Sequence, residues 1–434
     1  MKKIIGFAVV LAVIATSATF AAPRRDAGDL RFGYWTNVTR TAQTNQVLEL
    51  FTQQTGIYVE TIEGTFGEFW PMMDTLSTTG NLPDMMQHDV AHLLRYHQNN
   101  LLLDLRPFIN DNRIDVRNLP AATVEQGRLG AGIYAIPIGM NFASVLYNRT
   151  LLDSLGLTAP RNMNVQQFID LSREIYRRSG VRTNWVSNDP TNPLIAILRG
   201  QNVELFERTP AGGFRMGGTP ANYQVFFDIL HQGIQEGWHF RAEHWGGRDR
   251  FALTTDPMVY PANLQANANL RSWMAVAWNG QAAGFQGALL DGTVALTTPP
   301  SANPARSNFG RASMFWSISA QASNPAAAAQ LISFFINNQQ ANEIIQFERG
   351  VPANSVILTA ITPLLSPPNQ AAAEFATWVS QPGNSTPFDG LAPPARVEIR
   401  DYLTLVSDLV AMGQLTPAAA ATRFFNEANA MLAR

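Results

Sequence analysis

Apolar and polar positions alternate with two different periods through the first half of this chain. Residues 30–35 read as an apolar strand ending in Trp35. Over 41–55, Val47, Leu50 and Phe51 recur at helical spacing, and Gly56 supplies a stop. Residues 57–62 alternate as a second strand that ends near Gly64. The pattern then predicts a helix over 69–78 and a short third strand over 82–87. Strands alternating with helices predict a parallel sheet with helices on both faces.

The rest of the chain continues in this way. After the Gly130-Ala131-Gly132 turn, short strands are expected over 133–137 and 143–147. Asn164 caps a helix that carries Phe168, Ile169, Ser172, Ile175 and Tyr176 on one side, and Gly180 ends it. Asn324-Pro325 and Thr416-Pro417 each start a helix with Pro at its first position. Stretches rich in Pro, Gly, Ser and Asn interrupt the pattern at 209–220, 297–308, 366–370 and 381–394. None has the length of a disordered linker, and no repeat of fixed period is present. A chain of 434 residues, 46% hydrophobic, exceeds what one core supports, so two lobes are expected.

The N-terminus reads as an export signal. Lys2 and Lys3 precede an apolar run over 4–14, and Thr19, Phe20 and Ala21 form a small-x-small cleavage site. The run is shorter than the ~20 residues that span a bilayer. Residues 1–21 are therefore expected to be a signal peptide. With no Cys anywhere, disulfides, thiol catalysis, cysteine-held metal and lipid attachment to the processed N-terminus are all unavailable. A diffusing, unlipidated protein is then expected in a periplasm. The formal net charge is −2, and no long basic cluster occurs, which argues against a nucleic-acid partner. Charged residues make up 15% of the chain, and much of its polarity comes from Asn, Gln, Ser and Thr.

Five separated segments, in order, resemble one family. They are the strand ending in Trp35 with the later Thr55-Gly56-Ile57-Tyr58-Val59-Glu60; Leu82-Pro83-Asp84-Met85-Met86; and Ile133-Tyr134-Ala135-Ile136-Pro137 with Asn141 and Leu146-Tyr147-Asn148-Arg149. Trp316-Ser317-Ile318-Ser319 with Asn324-Pro325-Ala326-Ala327-Ala328, and Gly350-Val351-Pro352-Ala353-Asn354, complete the set. The chain resembles the extracellular solute-binding proteins of carbohydrate ABC transporters, the class that includes maltose-binding protein. The resemblance implies a two-lobe α/β periplasmic binding fold, each lobe a mainly parallel sheet flanked by helices. It implies crossings near 139–141, 301–311 and 347–352. The expected lobes are 22–139 plus 305–346 and 140–304 plus 347–434. It also implies a sugar or oligosaccharide ligand, ABC permease subunits in the inner membrane as partners, a monomeric carrier, no catalysis and no cofactor.

A sugar presents C–H faces that stack on aromatic rings and hydroxyls that need hydrogen-bond partners. Ligands of open parallel sheets bind beyond the carboxyl ends of the strands. Aromatic and polar residues at predicted strand ends are therefore the candidates. These are Trp35 and Thr36, Thr65 and Phe66, Asp89, Trp278 and Asn279, and Trp316. Asn141 stands where members of the resembled class place a polar contact, and Arg349 and Asp189 complete the set. A core role stays open for each Trp, and a helix-capping role for Asp89.

Other chemistries leave weaker marks. His88, Asp89 and His92 have a spacing compatible with zinc on a helix, but no third ligand lies nearby. No H-E-x-x-H, G-x-S-x-G or G-x-x-x-x-G-K-[ST] motif occurs. No spacing selects a pair of glycosidase carboxylates. Two alternatives remain: a polyamine or other small solute held by Asp89 and Asp189 in the same fold, and a secreted carbohydrate-active enzyme.

Overall fold

The computed structural model describes residues 30–186, 189–210, 212–245, 253–261, 263, 267–387 and 393–434. The segment read as an export signal lies outside the described residues. The strands in chain order are β1 (Leu30–Trp35), β2 (Val59–Gly64), β3 (Met85–His88), β4 (Arg128–Leu129), β5 (Gly132–Ile133), β6 (Ile136–Pro137) and β7 (Gly139–Asn148). They continue with β8 (Phe206–Arg208), β9 (Phe214–Met216), β10 (Met274–Trp278), β11 (Val294–Thr297), β12 (Gly310–Ala312), β13 (Phe315–Ile318) and β14 (Val351–Pro352).

The early helices form where the pattern placed them, each starting somewhat earlier. The helix Val38–Thr55 opens at Asn37, whose side chain accepts the Arg40 N–H at 2.9 Å, and closes on Gly56 at φ 75°. The left-handed C-cap is a conformation that Gly adopts without a Cβ penalty. The helix Phe66–Thr78 tolerates Pro71. The capped helix Val165–Ser179 turns Phe168, Ile169, Ser172 and Ile175 into the core and ends on Gly180.

The first sheet has the order β2-β1-β3-β13-β6. β1 runs parallel to β2 and β3, while β13 runs against both β3 and β6. In the second sheet β7 lies between β10 and β11 and runs against both. The mixed α/β, two-lobe fold is as expected, with one correction to strand direction. Each sheet contains a reversed strand, and in the second sheet every ladder pairing is antiparallel. The reason is the route of the chain. β7 enters its sheet from the segment that pairs with β12 and β14, and β13 follows β12 directly, so each arrives from the opposite end to the strands beside it.

β7 is one strand of 10 residues where a shorter one over 143–147 was expected. Its first part pairs with β12 and β14, and its second part pairs with β10 and β11. The crossing is thus built from three adjacent strands. They approach closely at Gly139, where an added Cβ would lie 2.8 Å from the Val351 carbonyl oxygen and 2.9 Å from that of Arg349. Gly139→Ala is therefore expected to cost on the order of 1–3 kcal/mol through overpacking. A thermal unfolding midpoint equal to that of the unsubstituted protein would refute this.

Candidate functional site

β1, β2 and β3 run parallel and deliver their carboxyl ends, at Trp35, Gly64 and His88, to one end of the first sheet. Trp35, at the end of β1, meets Phe66 edge-on at 5.5 Å and leans on Trp70 at 5.7 Å. Phe66 remains half-exposed, at 48%. Thr65 is committed to the helix start. Its hydroxyl and N–H both donate to one Glu68 carboxylate oxygen, at 2.7 and 3.0 Å, and these bonds hold that carboxyl below its ordinary range. The Thr36 hydroxyl lies 2.7 Å from that of Thr41.

Asp89 caps the helix Val90–Gln98 by accepting the His92 N–H at 2.9 Å, and His92 Nδ1 lies 2.7 Å from the same oxygen. Both side chains are about one-quarter exposed. Asp89 is thus a helix cap whose side chain stays partly exposed. His92 in turn stacks flat on Trp70 at 3.6 Å. His88 ends β3 beneath them and is fully buried, and burial pulls its pKa down to about 3, leaving it neutral. The two histidines do not share a helical face, because His88 belongs to the strand. Among the described residues no group of His, Asp and Glu converges as a metal site.

The second lobe contributes Trp278, partly exposed at the end of β10. It meets Phe309 edge-on at 6.1 Å, and the Arg311 guanidinium lies 4.2 Å from its ring centre. Asp189 accepts the Thr191 N–H at 3.0 Å and pairs with Arg396 at 3.1 Å. Burial would raise the Asp189 carboxyl, but Arg396, the Thr191 hydroxyl and Arg311 outweigh it and hold the group below its ordinary range.

The crossing strands link these groups by register. Asn141 on β7 stands opposite Arg311 on β12, and Ala143 stands opposite Trp278 on β10. Cross-strand partners share a face, and so do residues two apart along a strand. Asn141, Arg311 and Trp278 therefore lie on one face. Nearby, a groove of about 790 Å³ runs between Asn37–Thr39 of the first lobe and Gly280–Gly284 of the second, and Glu348 lies along it. Glu348 is anchored there by Arg40 at 2.8 Å.

Three of the expected contacts belong elsewhere. Trp316 is 0% exposed and packs on Phe32 and Phe335 inside the first lobe. Arg349 is equally buried, donating to Gln87 Oε1 at 3.1 Å and to Thr44 Oγ1 at 2.7 Å, with Tyr34 and Trp316 against its guanidinium. Asn279 accepts the Phe142 N–H at 2.8 Å and donates to the Ala372 carbonyl at 3.1 Å, so it ties the crossing strand to the helix Pro367–Val379. The reading of these residues as ligand contacts is corrected for one reason: Trp316 lies within β13, Asn279 just after β10 and Arg349 shortly before β14, and in each the side chain is buried in the protein. Arg311, Arg396 and the Trp70–His92 stack were missed. Arg311 stands in the segment read as a crossing, and a charged residue in such a strand was a usable signal.

Residues 46–377, most of the chain, match the family described as bacterial extracellular solute-binding proteins. This chain belongs to that family. The solute-binding protein also matches solved structures along its length. One is an extracellular solute-binding protein family 1 member from Alicyclobacillus acidocaldarius, with a TM-score of 0.77 and 22% identity, covering 94% of this chain and 98% of that one. Another is a periplasmic oligogalacturonide binding protein from Yersinia enterocolitica in complex with saturated digalacturonic acid, with a TM-score of 0.72, 17% identity, and coverage of 94% and 99%. A third is the GacH receptor of Streptomyces glaucescens, solved unliganded and in complex with acarbose, with a TM-score of 0.66, 14% identity, and coverage of 93% and 98%. At these identities the likeness establishes the fold. The family places this protein's role outside the cytoplasm, as the solute-binding component that serves an ABC transporter.

Proposed function

We propose that this solute-binding protein captures a sugar or short oligosaccharide between its lobes in the periplasm and presents it to an ABC permease as a monomer. The observation that carries the reading is the pairing of aromatic and polar groups on both sides of the crossing. The first lobe offers Phe66, backed by Trp35 and 6.2 Å from the His92 ring that Asp89 holds. The second offers Trp278 with Arg311 against its ring and the Asp189–Arg396 pair acting on that arginine, and Asn141 stands opposite Arg311. Such a set suits a ring with apolar faces and polar edges. The oligogalacturonide and acarbose complexes of structurally similar proteins support it. The Lys2-Lys3 signal pattern and the absence of Cys support the periplasm and argue against a lipoprotein.

The polyamine alternative loses ground because its two carboxylates are occupied, Asp189 by Arg396 and Asp89 by His92. A hydrolase would need two carboxylates flanking a bond, and the family is one of binding proteins. Closure is the proposed signal, with the lobes turning about β7, β12 and β14. Boundaries near 139–140, 304–305 and 346–347 follow for the two lobes. The expected result is a thermal shift with sugars and a smaller radius of gyration by small-angle scattering at saturating ligand. A ligand at a hundred times its Kd adds roughly 2.7 kcal/mol to native stability. A shift with polyamines alone, or sugar products released on incubation, would overturn the reading.

A further inference from the structure

Arg311 sits at the centre of the site, and among the described residues it has no polar partner. Its backbone is fixed in β12 against Asn141, and its guanidinium lies 4.2 Å from the centre of the Trp278 ring. Among the described residues the guanidinium makes no hydrogen bond or ion pair with a side chain or a carbonyl. Structural arginines elsewhere in this protein contrast with it. Arg40 is held by Glu348, Arg396 by Asp189, and buried Arg349 by Gln87 and Thr44.

The surroundings leave that charge only partly balanced. Burial and the nearby Arg396 both pull the proton affinity of Arg311 down, while Asp189 and Asp89 act in the other direction. Neither carboxylate bonds to it. Asp189 is committed to Arg396 and Thr191, and Asp89 to His92. The contact with the Trp278 ring, 4.2 Å to its centre, helps hold the group in place. A guanidinium stays charged at neutral pH, and its planar fork fits a carboxylate with two parallel hydrogen bonds. A partly buried cation lacking such a partner is destabilising until one arrives.

We propose that the solute is a sugar bearing a carboxylate, a uronide, and that Arg311 binds this carboxylate while Trp278 sits beside the ring. The sugar part rests on the function proposed above; the carboxylate part rests on Arg311 alone.

The test is calorimetric titration of the whole secreted protein with di- and trigalacturonate, with their methyl esters, and with maltose and maltotriose. The esters keep the ring and remove only the charge. The free acids are expected to bind at least tenfold more tightly than the esters and the neutral sugars. Arg311→Gln is expected to weaken acid binding about tenfold to a hundredfold, the span of a lost charge-assisted pair, and to weaken ester binding by a much smaller factor, so that the acid-to-ester preference collapses. Arg311→Lys, which keeps the charge and loses the fork, is expected to fall between. The acid-to-ester comparison uses the unsubstituted protein, so it decides the matter even if a variant fails to fold. Esters or maltose binding as tightly as the acids would overturn the carboxylate and leave the sugar reading standing. Binding of a non-sugar dicarboxylate such as succinate, lost in Arg311→Gln, with every sugar silent, would uphold the carboxylate and overturn the sugar. No binding of either uronide would overturn the uronide assignment.

Discussion

Trp316→Ala is expected to lower folding stability by ~3–5 kcal/mol, the usual cost of emptying a buried Trp site. Nothing in its surroundings is set up to relax. The ring is 0% exposed on an interior strand of the first sheet, where β13 pairs with both β3 and β6. Phe32 meets it edge-on at 5.2 Å, Phe335 leans on it at 4.8 Å, and the Arg349 guanidinium lies 5.5 Å from its centre. Removing the ring would also strip the packing from one side of a buried cation. Its indole N–H finds no hydrogen-bond partner among the described residues, so Trp316→Phe should recover much of the loss. Chemical denaturation measures the stability, and titration of the fraction still folded measures affinity. Affinity is expected to stay within about twofold. A large loss of affinity with an unchanged unfolding midpoint would return Trp316 to the binding site.

Trp278→Ala should show the opposite profile. Its ring is partly exposed, borders Phe309 on one edge and carries Arg311 at 4.2 Å. Loss of an aromatic anchor in a binding site typically costs ~1–3 kcal/mol, with individual hot spots above that. That is about a tenfold to a hundredfold rise in Kd. Two effects add in this variant: the solute loses a surface, and Arg311 loses the plate that orients it. The cost to folding should be well below that of Trp316→Ala, because less of the ring leaves water when the chain folds. The paired measurements on both variants separate the roles. Unchanged affinity with collapsed stability would make Trp278 a core residue.

Much of the fold was legible because it is written in local periodicity and in turn chemistry. The first three strands, the Asn164-capped helix and the Pro-initiated helices each follow from spacing within a dozen residues. Strand direction was less legible. β7 continues through Asn141 into Ala143 as one strand, and only the pairing with four other strands shows that it serves both the crossing and the second sheet.

The candidate site divides along the same line. A residue at a strand end can point toward the cleft or into the core, and the sequence alone distinguishes these poorly. Trp278 and Trp316 look alike as aromatic-polar junctions. Trp278 ends β10 and stays partly exposed, while Trp316 lies in the reversed strand β13, pairing with Gln87 and Ile136 in the sheet interior. Asn279 and Arg349 differ from Asn141 and Arg311 for a similar reason: their polar atoms meet partners contributed by distant segments. By itself the sequence determined the class of fold, the family and which strand ends deserved inspection, because these depend on near neighbours and ordered motifs. Tertiary structure alone decided which side chains are spent on holding the protein together and which remain available. That depends on partners hundreds of residues away, such as the Gln87 that engages Arg349, and on the lack of any such partner around Arg311 among the described residues.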